Sequence, residues 1–318
     1  MTASIKEFLA EDWTRFEQLF AEALASRVPI LNRVNEYLME RSGKQLRPIL
    51  SLLAARLCAE RCSDATIRSA AASELIHTAT LLHDDVADDA DTRRGRPTVS
   101  ALISPKASVL VGDYWLSRGV MTLIAGCDKE TFNDFSICLG DLAEGEMFQI
   151  EKAADLDTDY DDYIYIISHK TASLFRAAIK SGARGVSATA EQIAALDAFA
   201  LHLGLAFQIR DDILDYSPQL SLGKPTGVDI SERKITLPLL GALEKAGSAS
   251  RNAIVADIEA ERFEAIMQFV CDNDGLSYAQ KVLEKETELA VAALAPFPES
   301  IARNMLVGLA RSLCLRQA

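Results

Sequence analysis

The residues in this chain best placed to do chemistry are two short runs of aspartate. One closes the segment LLHDDVADD, ending at Asp89, and the other closes FQIRDDILD, ending at Asp215. Asp84 and Asp88 are four positions apart, so on a helix they stack on one face with Asp85 beside them. Asp211, Asp212 and Asp215 repeat the arrangement. Two carboxylates about 4 Å apart repel by roughly 1 kcal/mol in water and about 4 kcal/mol at an effective dielectric of 20. The partly negative C-terminal end of a helix adds to that cost. A single cluster could be a solvated acidic face. Two copies, each attached to an apolar helix, call for a cation, and an all-oxygen donor set suits Mg²⁺, which keeps waters and is completed by substrate phosphates.

Cations accompany the acids. Arg93 and Arg94 follow the first cluster in TRRGRPT, where Gly95 and Pro97 favour a turn. Lys44 and Arg47 stand in GKQLRP, and Lys170 precedes Thr171 in HKTASLF. Lys224 lies in LGKPTG, and Lys234 opens KITLPL. Taken singly, each is more often a surface charge. Beside two metal-binding clusters they describe sites for diphosphates, bridged by metal on one side and held by Arg and Lys on the other.

The elements that must position these groups are helices. Ile67–Leu82, Ala107–Ile124 and Ile193–Leu214 carry apolar residues at three- and four-residue spacing. No proline occurs between Pro105 and Pro218, as long unbroken helices require. Loops are expected at Arg94–Thr98, Asp155–Asp162 and Ser217–Glu232. With no linker or low-complexity tract, residues 1–318 read as one all-α domain. The net charge of −13 argues against a nucleic-acid partner. The N-terminus lacks a secretory pattern, and Ile193–Ile209 reads as a buried helix rather than a membrane span. Six scattered cysteines without a Cys-x-x-Cys pair fit the cytoplasm.

In order and spacing, GKQLRP, ELIHTATLLHDDVADDADTRRGRPT, VGDYWL, EGEMFQ, HKTASLF, FQIRDDILDY, LGKPTGVDI and KITLPL resemble the trans-isoprenyl diphosphate synthases of the polyprenyl synthetase family. The resemblance runs from Arg41 to Leu240 and points toward the long-chain octaprenyl and heptaprenyl type. It implies a helical bundle around a deep central cavity, a homodimer, and head-to-tail condensation of an allylic diphosphate with isopentenyl diphosphate. It also implies about three Mg²⁺ per site, two held by Asp84 and Asp88 with Asp85 in support, the third by Asp211 backed by Asp212 and Asp215. Arg93, Lys170, Lys224 and Lys234 would grip the allylic diphosphate. Lys44, Arg47, His77 and Arg94 would hold isopentenyl diphosphate, although His77 on its own reads as a packed core histidine. Thr171 and Gln208 would face the reacting carbons. One departure is Arg233, where many relatives carry glycine; it puts the local loop conformation in question.

Ala79 and Thr80 lie one turn before the first cluster, with Ser73 and Ile76 deeper. At about 1.5 Å per residue they sit roughly 6–7.5 Å beneath Asp84, and small side chains there would admit a product of about thirty to fifty carbons. Such a product suits a quinone side chain and at most peripheral membrane contact for release. Alternatives are a short-chain farnesyl or geranylgeranyl synthase, or a non-catalytic partner subunit; the two intact Asp clusters count against the latter.

Overall fold

A computed structural model describes residues 2–40, 43–217, 227–247 and 250–314. Among them helices account for nearly all regular structure, as expected for an all-α protein. The exception is a two-residue antiparallel ribbon pairing Thr92–Arg93 with Arg96–Pro97. Its turn residues Arg94 and Gly95 both have positive φ, 52° and 73°, the backbone twist that closes the tightest two-residue hairpins. The prolines sit where helices tolerate them: Pro29, Pro105 and Pro238 occupy first or second helical positions.

The described chain forms two compact units. One comprises Met1–Ser136, Ala177–Ala194 and Glu299–Met305; the other comprises Ile137–Arg176, Ala195–Pro298 and Leu306–Ala318.

In the first unit the helix Asp64–Ala87 starts at Ser63, whose Oγ accepts the Thr66 N–H at 3.1 Å. Its small residues Ala70, Ala71, Ala72 and Ser73 are fully buried and let neighbouring backbones approach. A Cβ on Gly119 of the helix Pro105–Ile124 would come within 3.0 Å of Ile76, and one on Gly182 would strike the Ser51 carbonyl at 2.1 Å. Two large polar side chains of this core are paired: Trp115 Nε1 donates to Asn35 Oδ1 at 2.8 Å, and Asn35 Nδ2 donates to the Leu24 carbonyl. Each pairing removes a desolvation cost of about 1–3 kcal/mol that an unmatched buried group would carry.

In the second unit the helix Ala190–Asp215 presents Leu196, Phe199, Leu203, Ala206 and Ile209 to the core. One 18-residue stretch of this helix has a mean hydropathy of 1.4, enough by length and composition to cross a membrane, and 44% of that stretch is buried within the protein. Gly204 has no room for a side chain, since a Cβ would lie 2.6 Å from Ala172 Cα. That contact brings in the segment Ser168–Ala172, a single π-helical turn between the helices Tyr160–Ile167 and Ser173–Arg184. A capping box between Asp159 and Asp162 starts the Tyr160 helix, so the expected loop at Asp155–Asp162 contracts to residues 156–159. Within the expected loop Ser217–Glu232, Val228–Ser231 forms one helical turn.

Candidate active site

The residues singled out in the sequence fall in both units. In the first, the Asp64–Ala87 helix delivers its aspartates where it ends. Asp88 is the C-cap residue, its N–H bonded to the Asp84 carbonyl at 2.8 Å, and Asp89 turns away with φ 47°. Asp84 is half-buried and Asp88 exposed. Asp85 is buried and accepts from Arg93 Nε at 2.5 Å, so the ribbon's first arginine is anchored through the middle aspartate.

The second ribbon arginine reaches the GKQLRP segment. Gly43 has φ 48°, and a Cβ there would sit 2.4 Å from Arg94 Nη1; the guanidinium lies against bare backbone. Gln45, at φ 49°, leads into the helix Leu46–Cys58 that carries Arg47. Non-glycine residues in this conformation cost about 1 kcal/mol each and cluster at functional sites. Arg47 and Arg94 act on two groups of the Asp64–Ala87 helix. Burial raises the Glu74 carboxyl to about 7 against the pull of Arg47, Arg94 and Lys6. Burial, reinforced by Arg47, Arg94 and Arg93, holds the His77 imidazole well below its ordinary range, so it is neutral. Neutral His77 beside several cations favours an anionic ligand. Lys44 is exposed at the start of this cluster.

In the second unit, Gln149, Lys170, Thr171, Gln208, Asp212, Asp229 and Lys234 line one pocket. The π-helical turn sets Lys170 and Thr171 into it, a distortion that recurs at functional sites. Gly145 allows the approach, since a Cβ there would meet the Lys170 N at 3.1 Å. Lys170 Nζ pairs with Glu146 Oε2 at 2.5 Å, and Lys234 pairs with Glu232. Thr171 Oγ1 donates to Gln208 Oε1 at 2.7 Å. Thus the structure brings together the two residues that the resemblance placed beside the reacting carbons.

The second acidic cluster is built around Asp212, which is buried and accepts from Tyr163 Oη at 2.6 Å and Gln208 Nε2 at 2.9 Å. Burial raises its carboxyl to about 6, with Asp211 and Asp215 pushing the same way and the two hydrogen bonds opposing. Asp215 accepts the N–H groups of Val228 and Asp229, and its carboxyl too is raised by burial. Asp229 is raised to about 8 by burial and by Asp212 and Asp215, against Lys234. Asp211, half-buried, lies one residue before Asp212 on the same helix. Lys224 lies outside the described residues.

These carboxylates fit a hard divalent cation. All donors are oxygens, and Asp212, Asp215 and Asp229 are raised first by burial and then by neighbouring carboxylates, so a cation among them would offset both costs. Among the described residues no three acidic, histidine or cysteine side chains converge as a complete ligand set.

Sequence reasoning passed over Glu74, Glu146, Tyr163 and Asp229. Glu74, Glu146 and Asp229 lie inside the motifs ELIHTATLLHDD, EGEMFQ and LGKPTGVDI, which was the available signal. Tyr163, in YIYII, gave none.

The comparisons with known proteins agree with this geometry. The sequence matches the polyprenyl synthetase family over residues 28–270. It is 38% identical to the all-trans-nonaprenyl-diphosphate synthase (geranyl-diphosphate specific) of Rhodobacter capsulatus, covering 95% of this chain and 94% of that one. The fold matches the crystal structure of a decaprenyl diphosphate synthase from Rhodobacter capsulatus with a TM-score of 0.94 at 36% identity, over 100% of both chains. It matches a polyprenyl synthase from Caulobacter crescentus CB15, complexed with calcium and isoprenyl diphosphate, with a TM-score of 0.91 at 33% identity, over 100% of this chain and 98% of that one. The chain belongs to the polyprenyl synthetase family, and it is a prenyltransferase that forms polyprenyl diphosphates.

Proposed function

We propose that the chain extends an allylic diphosphate with successive isopentenyl diphosphates to a long-chain product of about thirty to fifty carbons, with about three Mg²⁺ at the site. The observation that carries this reading is the pocket in which Lys170, Thr171, Gln208, Asp212, Asp229 and Lys234 converge. Diphosphate-binding cations, buried carboxylates and two neutral polar groups share one cavity wall. The nonaprenyl and decaprenyl names of its relatives support a long product, and the calcium and isoprenyl diphosphate in another support a divalent ion.

When bound, the metal ions neutralise charge developing on the departing diphosphate. The chain's residues supply the rest. Arg93, fixed by Asp85, and Lys170, Lys224 and Lys234 hold the allylic diphosphate, so that its C–O bond breaks with the electron pair leaving on diphosphate oxygen. Lys44, Arg47, Arg94 and neutral His77 hold isopentenyl diphosphate, whose double bond attacks the allylic cation to form the new C–C bond. Thr171 and Gln208 face those carbons with acceptor oxygens. A proton then leaves the condensed cation for the released diphosphate, restoring a double bond. No side-chain nucleophile takes part.

Leu110, Met121 and Ile124 of the Pro105–Ile124 helix are more than half exposed, an apolar surface that supports a homodimer. The two units interleave along the sequence, which supports reading 1–318 as one catalytic domain. Six free thiols support a cytoplasmic setting, and release of so apolar a product supports peripheral contact with a membrane and use as a quinone side chain.

Incubation of the purified chain with isopentenyl diphosphate, allylic primers of several lengths and Mg²⁺, followed by chromatographic sizing, tests the proposal. Long products from the chain alone support it. Farnesyl or geranylgeranyl end products would assign a short-chain synthase, and no turnover without a second protein would assign a partner subunit.

A further inference from the structure

We propose that Tyr163 is a positioning residue for prenyl transfer, setting through Asp212 and Gln208 the direction in which the Thr171 hydroxyl faces the pocket. The proposal rests on the prenyltransferase reading and adds a residue that none of the motifs assigns.

The argument is one of donors and acceptors. Tyr163 is buried, 2% exposed, and its Oη donates to Asp212 Oδ2 at 2.6 Å. An ionised carboxylate can only accept. Gln208 must therefore turn its amide nitrogen toward Asp212 Oδ1, where it lies at 2.9 Å. That turn leaves Gln208 Oε1 facing Thr171 Oγ1 at 2.7 Å. An amide oxygen also only accepts, so the Thr171 hydroxyl must donate to it. The one proton on Thr171 Oγ1 is thereby committed to Gln208 Oε1, and lone pairs are what the hydroxyl has left to offer a second neighbour in the pocket that both residues line. Each link fixes the sense of the next.

The backbone at Thr171 is held independently. The π-helical turn Ser168–Ala172 is pinned by the contact of Ala172 with Gly204, and Ser173 Oγ donates to the His169 carbonyl. What the Tyr163 relay controls is the orientation of a hydroxyl and an amide. Without the Tyr163 hydroxyl, Asp212 Oδ2 loses its donor in a buried setting and the carboxylate is no longer held for Gln208. The amide then takes either flip, and the Thr171 proton is no longer committed to Gln208. Such a defect falls on the chemical step and spares diphosphate binding.

The test is a double-mutant cycle on the full-length enzyme, with Tyr163→Phe, Thr171→Val and the double variant. For Y163F the relay requires kcat lower by about tenfold, the worth of one well-placed hydrogen bond. KM for both diphosphates and the Mg²⁺ half-saturation should stay within about twofold of wild type. Calorimetric binding of an uncleavable allylic thiolodiphosphate should be unchanged. In the T171V background, Y163F should cost nothing further. Wild-type kcat in Y163F, a loss confined to KM or Mg²⁺ half-saturation, or additive losses in the double variant would each overturn the relay. If Y163F is too unstable to assay, a cycle of Gln208→Met with Thr171→Val decides the matter, because Met keeps the volume but removes both hydrogen bonds of the relay. The double variant must lose no more than the worse single variant, and losses that add overturn the relay. A wild-type enzyme that makes no polyprenyl diphosphate would refute the activity itself, whereas an active wild type with an equally active Y163F refutes only the relay.

Discussion

Arg93 donates from Nε to Asp85 Oδ1 at 2.5 Å, and the carboxylate it meets is only 4% exposed. Under the proposed function the three aspartates of the first cluster divide the work: Asp85 holds an arginine, and Asp84 and Asp88, one turn apart, are the pair suited to a cation. With Nε engaged, Nη1 and Nη2 are the donors that Arg93 would offer a diphosphate under the proposed function. Asp85→Asn should raise KM for the allylic diphosphate by about tenfold, with a smaller effect on Mg²⁺ half-saturation. Asp88→Asn should do the reverse. Steady-state titrations of both ligands on the two variants check the division; identical profiles would contradict it.

Glu74 provides a pH signature. Burial raises its carboxyl to about 7 in the folded protein, whereas in the unfolded chain it returns to about 4.3. A raised carboxyl pKa means that the native state holds the proton more tightly. Its contribution to stability is complete below the unfolded value and is lost as pH rises through the folded one. Between pH 5 and 8 the wild type should lose about 3 kcal/mol that Glu74→Gln does not lose. Denaturant melts of both proteins across that range test the difference, and parallel curves would exclude Glu74 as the source.

The sequence exposed those parts of the site whose logic is local. Asp84 and Asp88 were legible because a four-residue spacing on a helix is itself a statement about geometry. The turn at Arg94 was legible through Gly95. Tyr163 was not, because a tyrosine in YIYII reads as packing until Asp212, 49 positions away, is seen beneath its hydroxyl. Asp229 was silent for the same reason: its raised proton affinity comes from burial in the fold and from Asp212 and Asp215, which the chain brings beside it. The π-helical turn at Ser168–Ala172 has no sequence signature at all, being imposed by the close approach of Gly145 and Gly204. The helical fold was legible throughout, since long apolar periodicity with punctuating prolines leaves few alternatives.

Product length should respond to one position more than its neighbour. Ser73, Ile76 and Ala79 are buried, with Ile76 packed on Gly119, whereas Thr80 is half-buried and its hydroxyl is occupied by the His77 carbonyl at 2.8 Å. Thr80→Phe has space to project an aromatic ring and should shorten the products with little loss of stability. Ala79→Phe enters a filled core and should cost about 1–3 kcal/mol through overpacking. Product sizing and thermal melts on the two variants separate the effects. An unchanged product distribution in T80F would remove Thr80 from the path of the growing chain.

Arg233 stands where the family resemblance implied glycine, and its backbone explains why glycine would suit the position. Its φ is 61°, in the left-handed region, where a Cβ costs roughly 1–2 kcal/mol. The side chain is exposed, and no hydrogen bond of the neighbouring Lys234–Glu232 pair depends on it. Arg233→Gly should therefore relieve strain, offset in part by the greater freedom of glycine in the unfolded chain, for a net gain of about 0.5–1 kcal/mol. The melting temperature should rise by about 1–2 °C, while KM for the allylic diphosphate stays within about twofold because the charge points to solvent. A several-fold rise in that KM would show instead that Arg233 reaches the diphosphate, and that the strained backbone is retained to place a further cation at the site.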